Sequence, residues 1–143
     1  MTVGNLPFWI RCAWLAAWLA AHASQAQPSW TTSDSGRDVN WEEAKAFCAG
    51  QGAGWRLPRL EELSGLYSTA QRDGNTVPCG NASCMAPPAL KLSGNWYWSS
   101  SDLKKDSAES SPLLAWGVLL VNGSRNQTFK FMPHGARALC VRD

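Results

Sequence analysis

Apolar positions recur along this chain in one unbroken run and then in two periods. The run comes first. Residues 12–23 are rich in Ala, Leu and Trp, with Arg11 before them and Ser24-Gln25-Ala26 after them. A dozen residues are too few to span a bilayer, which takes about 20. One positive residue, a short apolar stretch and small residues where a signal peptidase reads them make a secretory signal. Cleavage is expected after Ala26, with Ala23 as the alternative. Cys12 stands in Arg11-Cys12-Ala13-Trp14, a poor lipid-attachment motif, so a lipoprotein is not expected.

The helical period follows. Trp41, Ala44, Phe47 and Cys48 fall on one face of a helix. Asn40 can accept from the first-turn N–H groups, and Glu43 three residues on completes a capping-box pattern. Gly50, Gly52 and Gly54 end this helix. A second helix is predicted over residues 59–67, with Leu60, Leu63 and Leu66 or Tyr67 facing inward. Pro58 keeps Leu57 extended and suits a helix start. Residues 68–93 read as mostly loop.

The period-2 segments lie in the last third. Strands are expected over residues 96–99, 114–121 and 138–142, with a further one at 128–132 and a short one or a loose arm near Trp30. Within 114–121, Trp116, Val118 and Leu120 alternate with Gly117, Leu119 and Val121. Both faces are apolar, so this strand is central. Asn122-Gly123 is the strongest hairpin signal, and residues 102–111 form a polar, charged loop. No internal repeat and no boundary interrupts residues 27–143, which read as one domain.

Composition narrows the class. Without Arg11, 12 Lys and Arg stand against 11 Asp and Glu, a balance that argues against a nucleic-acid binder. Five cysteines become four once Cys12 is removed. Four cysteines in a small exported domain suggest two disulfides, with three connectivities open. Cys79 and Cys84 flank a turn-prone Gly80-Asn81-Ala82-Ser83 that can bring them into bonding range. Six tryptophans remain of nine, and in a small domain they are expected mainly in the core. The localisation expected is secreted or periplasmic.

Four strings stand out: Trp55-Arg56-Leu57-Pro58 with Glu61-Glu62-Leu63, Tyr97-Trp98-Ser99-Ser100-Ser101, Ala115-Trp116-Gly117-Val118 closing on Asn122-Gly123, and Arg137-Ala138-Leu139-Cys140-Val141-Arg142. In order and spacing they resemble the family known as DUF1566, or the Lcl C-terminal domain, over residues 39–142. That family resembles a branch of the C-type-lectin-like fold, beside the formylglycine-generating enzymes. The resemblance implies an α+β, C-type-lectin-like domain. Two short helices would pack on a small, twisted, mainly antiparallel sheet with long loops. It also implies a long bridge from the first helix to the last strand, Cys48 to Cys140, with Cys79 to Cys84 as the second. The family commonly has Thr or Ser after the proline to cap its helix. Arg59 stands there in this chain and leaves that cap open.

Candidate chemistry is sparse. After the signal only His134 remains, in a Pro133-His134-Gly135 turn, so a histidine-based triad has little to draw on. A zinc site needs about four Cys or His ligands, and the cysteines are better placed in disulfides. The tripeptides with which many true C-type lectins bind calcium and sugar are absent. No metal, cofactor or catalytic set is therefore expected. The enzymatic alternative follows the resemblance: formylglycine-generating enzymes use a reactive cysteine pair with the spacing of Cys79 and Cys84. Their pair, however, follows the segment resembling Trp98-Ser99-Ser100, whereas this one precedes it. Ser99, Ser100 and Ser101 are expected to satisfy backbone groups where the strand leaves the sheet. Arg56 and Arg142 are expected as ion-pair anchors. Binding is left to the loops. Lys104, Lys105, Arg125 and Lys130, with Trp96 as a stacking surface, are the candidate ligand-binding residues. The resemblance extends to adhesion and sulfated glycosaminoglycans. The expected ligand is thus a glycan, a polyanion or a protein, with no nucleic acid and no membrane span after signal cleavage. A passive envelope accessory is the remaining alternative.

Overall fold

The computed structural model describes residues 28–102 and 112–143. The expected signal with Cys12, and Lys104 and Lys105 of the expected charged loop, lie outside the described residues. In chain order the elements are β1 (Ser29–Trp30), α1 (Trp41–Ala49), β2 (Trp55–Arg56), α2 (Leu60–Asp73), β3 (Thr76–Cys79), β4 (Ala82–Met85), β5 (Trp96–Asp102), β6 (Leu114–Leu119), β7 (Arg125–Phe129), β8 (Ala136–Arg137) and β9 (Val141–Arg142). The fold is α+β, as expected. Two helices pack on mainly antiparallel sheet, and the first and last strands described pair with each other.

The sheet divides into three. A four-stranded sheet runs in the order β7-β6-β5-β8, a three-stranded one in the order β1-β9-β2, and β3 pairs with β4 alone. β6 is central, as its two apolar faces require. The final strand, expected over 138–142, is shortened to β9, and a short strand not expected in sequence, β8, precedes it. β8 lies parallel to β5, whereas β9 crosses to β1 and β2. The strand expected at 128–132 lies earlier, at Arg125–Phe129, because the hairpin register sets Arg125 opposite Val118 and Phe129 opposite Leu114.

Two helix expectations also change. α2 continues to Asp73, where Gly74 takes the left-handed conformation (φ 72°) that closes it. Residues 76–85, expected as loop, form the β3–β4 hairpin around Gly80 (φ 65°). Asn40 caps α1 by accepting the Glu43 N–H at 2.9 Å. The Glu43 carboxylate pairs instead with Arg37 at 3.0 Å, so only half of the capping box forms.

The missing cap on α2 is supplied from elsewhere. An arginine side chain has no acceptor to offer. Glu62 reaches back to accept the Arg59 N–H at 2.8 Å. The Ser101 hydroxyl, from the end of β5, accepts the Leu60 N–H at 3.1 Å. Orphan donors at the helix start are thus satisfied by the serine string.

Both disulfides form as expected. Cys48–Cys140 joins α1 to the segment before β9, with 5.4 Å between Cα atoms, and Cys79–Cys84 closes the hairpin at 5.8 Å. The core has two clusters. Leu60, Leu63 and Leu66 of α2 meet Tyr97, Val118 and Leu139, with the hairpin disulfide. Trp41, Ala44 and Cys48 of α1 meet Trp98, Ala115 and Cys140. Of the six tryptophans, only Trp41 and Trp98 are fully core residues. Trp30, Trp55, Trp96 and Trp116 are half-buried.

Candidate functional site

α1 begins at Trp41, which fixes its surroundings in three ways. Its indole N–H donates to the Ser99 carbonyl at 2.9 Å, which buries the ring. Its backbone N–H donates to the Lys130 carbonyl at 2.9 Å, which ties the helix start to the end of β7. Its ring carries two ammonium groups: Lys45 Nζ lies 3.8 Å from the centroid and Lys130 Nζ 4.2 Å. Such contacts contribute about 0.5–1 kcal/mol each at exposed sites. Lys45 also pairs with Glu42 at 2.9 Å, so two cations and one anion meet here.

Beside them lies a hollow of about 240 Å³ lined by Asn40, Glu42, Pro112, Leu113, Lys130 and Phe131. Phe129 and Phe131 stack with centroids 5.4 Å apart, and they are 47% and 62% exposed. Leu113 and Met132 are exposed as well. An apolar surface beside fixed cations is the kind of patch that marks a binding site.

The sequence candidates divide around this cluster. Lys130 lies in it. Arg125 lies at the other end of β7, where its Nε donates to Ser64 Oγ of α2 at 2.9 Å. Five strand steps of about 3.3 Å separate the two. The Trp96 ring lies across Gly117 and meets Trp98 edge-on at 4.8 Å. Lys45, Phe129 and Phe131 were not singled out in sequence. Their signals were an i,i+4 relation to Trp41 and a pair of aromatics two residues apart.

Other polar groups are consumed by the fold. Asp34 is buried and accepts four hydrogen bonds: from Ser93 Oγ (2.6 Å), Ser93 N–H (2.7 Å), Tyr97 Oη (2.7 Å) and Gly36 N–H (2.9 Å). Burial pushes its carboxyl up, but the bonds from Ser93, Tyr97 and Gly36 together outweigh burial and hold it below the ordinary carboxylate value. Burial and the bond to Asp34 push the Tyr97 phenol upward.

Arg56 grips Glu62 at 2.8 and 3.1 Å and Asp143 at 2.7 Å, as an ion-pair anchor. That grip holds Glu62 below its ordinary value. Arg142 departs from the expected role and stacks over Trp55, 5.0 Å from its centroid. Arg137 Nε pairs with Asp38 at 3.3 Å without the alignment of a hydrogen bond, and neither Nε nor Nη1, both buried, has a hydrogen-bond partner. Cys79 and Cys84 are buried and joined. His134 is exposed. Among the described residues, no group of three His, Cys, Asp or Glu is placed to hold a metal ion, and no helix is long and apolar enough to cross a membrane.

Comparison with known proteins finds similarities in sequence and in structure. No family model matches the chain. Human interleukin-1 receptor type 2 is 37% identical over 70 residues, 48% of this chain. The chain spans only 18% of that receptor's length. Among solved structures, EMS16, described as an antagonist of the collagen receptor integrin α2β1, is similar over 84% of this chain and 94% of its own, with 14% identity and a TM-score of 0.45.

Proposed function

We propose that the chain is an exported, non-catalytic binding module that takes a polyanionic glycan where Lys130 and Lys45 flank Trp41. The observation that carries this is the shared ring: two ammonium groups lie 3.8 and 4.2 Å from one indole centroid. Their positions are set before a ligand arrives, so less side-chain entropy is lost on binding. One of the two charges is in excess over Glu42, and the neighbouring hollow can receive the uncharged part of a sugar. Export is supported by the two disulfides, which persist in oxidising compartments. The DUF1566 resemblance points the same way.

The redox alternative needs a reactive thiolate at Cys79 or Cys84. Both sulfurs are buried in a closed bridge within the α2-side core, which favours a staple. Thiol titration of native protein separates these readings: no free thiol for the module, a reactive pair for the enzyme.

A second reading has its own observation. The stacked, exposed Phe129 and Phe131 favour a protein ligand with an acidic surface. Retention on immobilised heparin decides between the two. The glycan reading expects retention that Lys45→Ala/Lys130→Ala abolishes and Arg125→Ala, at the other end of β7, leaves unchanged. No retention of the wild-type protein at low salt rejects it.

A further inference from the structure

The four-stranded sheet has two edges, β8 and β7, and the chain treats them differently. The β8 edge is covered. Val39 and Ser35 donate their N–H groups to the Ala136 and Ala138 carbonyls, both at 2.9 Å, and the Ser35 hydroxyl accepts the Ala138 N–H at 3.1 Å. Along β7 no described residue does the same. In an antiparallel pair every second residue bonds to its neighbour strand and the residues between turn their N–H and C=O groups the other way. Two bonds flanking β7 fix the phase: Leu119 N–H to the Ser124 carbonyl at 2.9 Å, and Lys130 N–H to the Leu113 carbonyl at 2.8 Å. Residues 126 and 128 therefore bond to β6, and Arg125, Gln127 and Phe129 turn their backbone groups outward.

All three of these residues are exposed. Among the described residues their outward backbone groups have no partner, except that the Phe129 carbonyl accepts the Met132 N–H at 3.0 Å. Proteins usually blunt such an edge with a proline, a bulge or an outward charge. β7 has no proline, and its register on β6 is unbroken, whereas the register of β5 on β6 shifts between Trp98 and Asp102. Its cations are drawn back onto their own domain. Lys130 lies over Trp41, and Arg125 Nε donates to Ser64.

The phase of the strand selects the occupant. A second copy laid antiparallel about a two-fold axis at Gln127 sets Gln127 opposite Gln127, and Arg125 opposite Phe129 of the second copy. Every outward-facing residue then meets another, which is the condition for a hydrogen-bonded pair. A slip of one residue would set outward groups against groups already bonded to β6. The charges permit the arrangement. The two copies of Arg125 would stand four strand steps apart, about 13 Å, beyond a screening length of about 8–10 Å. Each would face a ring that is 47% exposed, an aromatic partner that a cation favours. A self-complementary patch of this kind is what a two-fold dimer, the commonest closed assembly, requires.

We infer that β7 pairs antiparallel with β7 of a second copy of this chain, about a two-fold axis at Gln127. The pairing joins two four-stranded sheets into one continuous sheet. It leaves the Lys130 ammonium on Trp41, because that contact is made by the domain's own α1.

The test is sedimentation velocity of the disulfide-bonded protein alone, from about micromolar to about millimolar concentration, with amide hydrogen exchange on the same samples. Expected is a monomer–dimer equilibrium, with exchange at the Arg125, Gln127 and Phe129 N–H groups slowing as the dimer forms. Gln127→Pro removes an N–H that the fold does not use, at an edge position where proline is tolerated. It should weaken association about tenfold or more, through the loss of two symmetric hydrogen bonds. Gln127→Lys and Gln127→Glu keep the N–H and set like charges face to face at the axis, so each alone should associate several-fold more weakly than wild type. Their equimolar mixture sets opposite charges face to face and should restore the dimer. These two variants carry the test if the proline variant fails to fold. The inference is overturned if the wild type stays monomeric at the highest concentration, or if it dimerises with those three amides unprotected. It is also overturned if the lysine and glutamate variants each dimerise like wild type, or if their mixture associates no better than either alone. None of these outcomes touches heparin retention, which depends on Lys45 and Lys130.

Discussion

The Ser101 hydroxyl of β5 accepts the backbone N–H of Leu60, the first residue of α2, at 3.1 Å. A helix that lacks a capping side chain at Arg59 is thereby capped from 41 residues away. The same string works at two more points. Ser99 Oγ donates to the Trp116 carbonyl at 2.8 Å and accepts the Ser101 N–H at 3.1 Å. Removing a cap costs about 0.5–2 kcal/mol. Ser101→Ala should therefore lower stability by about 1 kcal/mol in urea denaturation. Arg59→Ser, which restores a local cap, should recover most of it. An unchanged midpoint for Ser101→Ala would show the contact to be idle.

Asp34 should govern acid stability. Its folded pKa is lowered, so its contribution is fully present above the ordinary aspartate value of about 3.9 and is lost as pH falls through the lower folded value. Glu62, lowered by Arg56, acts in the same direction just below about 4.3. Asp34→Ala takes their acceptor from the Ser93 hydroxyl and from the Ser93 and Gly36 N–H groups and should cost about 2–3 kcal/mol near neutral pH. The variant should also lose part of the wild type's fall in stability between about pH 4 and 2. Parallel pH profiles for the two proteins would remove Asp34 from the account.

The two bridges should differ in weight. Cys48–Cys140 closes a separation of 92 residues and Cys79–Cys84 one of 5. Chain entropy alone gives about 4.6 and 2 kcal/mol. Replacing both partners by Ala should destabilise the protein far more for the long bridge than for the short one. Equal denaturation midpoints would contradict this, and a peptide map joining Cys48 to Cys79 would contradict the topology.

Gly117 is needed for the close approach of two strands. A Cβ there would fall on the Trp96 ring and within 2.5 Å of the Tyr97 carbonyl. The second obstacle is backbone and cannot rotate away. Gly117→Ala should cost at least the 1–3 kcal/mol typical of overpacking. Gly65→Ala, with open space around its Cβ, should leave the thermal midpoint unchanged or raise it. Similar losses for both would place the effect elsewhere.

What the sequence made legible follows from which interactions are local. The Asn40 cap, the inward face of α1, the central place of β6 and the turn at Gly123 each depend on neighbours within a few residues, and each is seen. The short strand β8, and the shortening of the last strand to β9, were not legible. The break between β8 and β9 arises from pairing with β5 on one side and with β1 and β2 on the other, partners distant in sequence. The tail of α2 was missed because Ser68 and Thr69 are weak helix formers, whereas tertiary packing of Leu66 and Ala70 carries the helix through them. In the site, Lys130 was legible as a charge. Its position on Trp41 was not, because the hydrogen bond from Trp41 N–H to the Lys130 carbonyl joins residues 89 apart.

The measurement that tests the central claim most directly is calorimetric titration with a heparin-derived hexasaccharide at two salt concentrations, on the wild type, Lys130→Ala and Arg125→Ala. Exposed charges are screened within about 8–10 Å at physiological ionic strength. The account predicts wild-type binding that weakens as salt rises, is lost in Lys130→Ala and is retained in Arg125→Ala. Equal binding by wild type and Lys130→Ala, or loss in Arg125→Ala alone, would contradict a site built on Trp41.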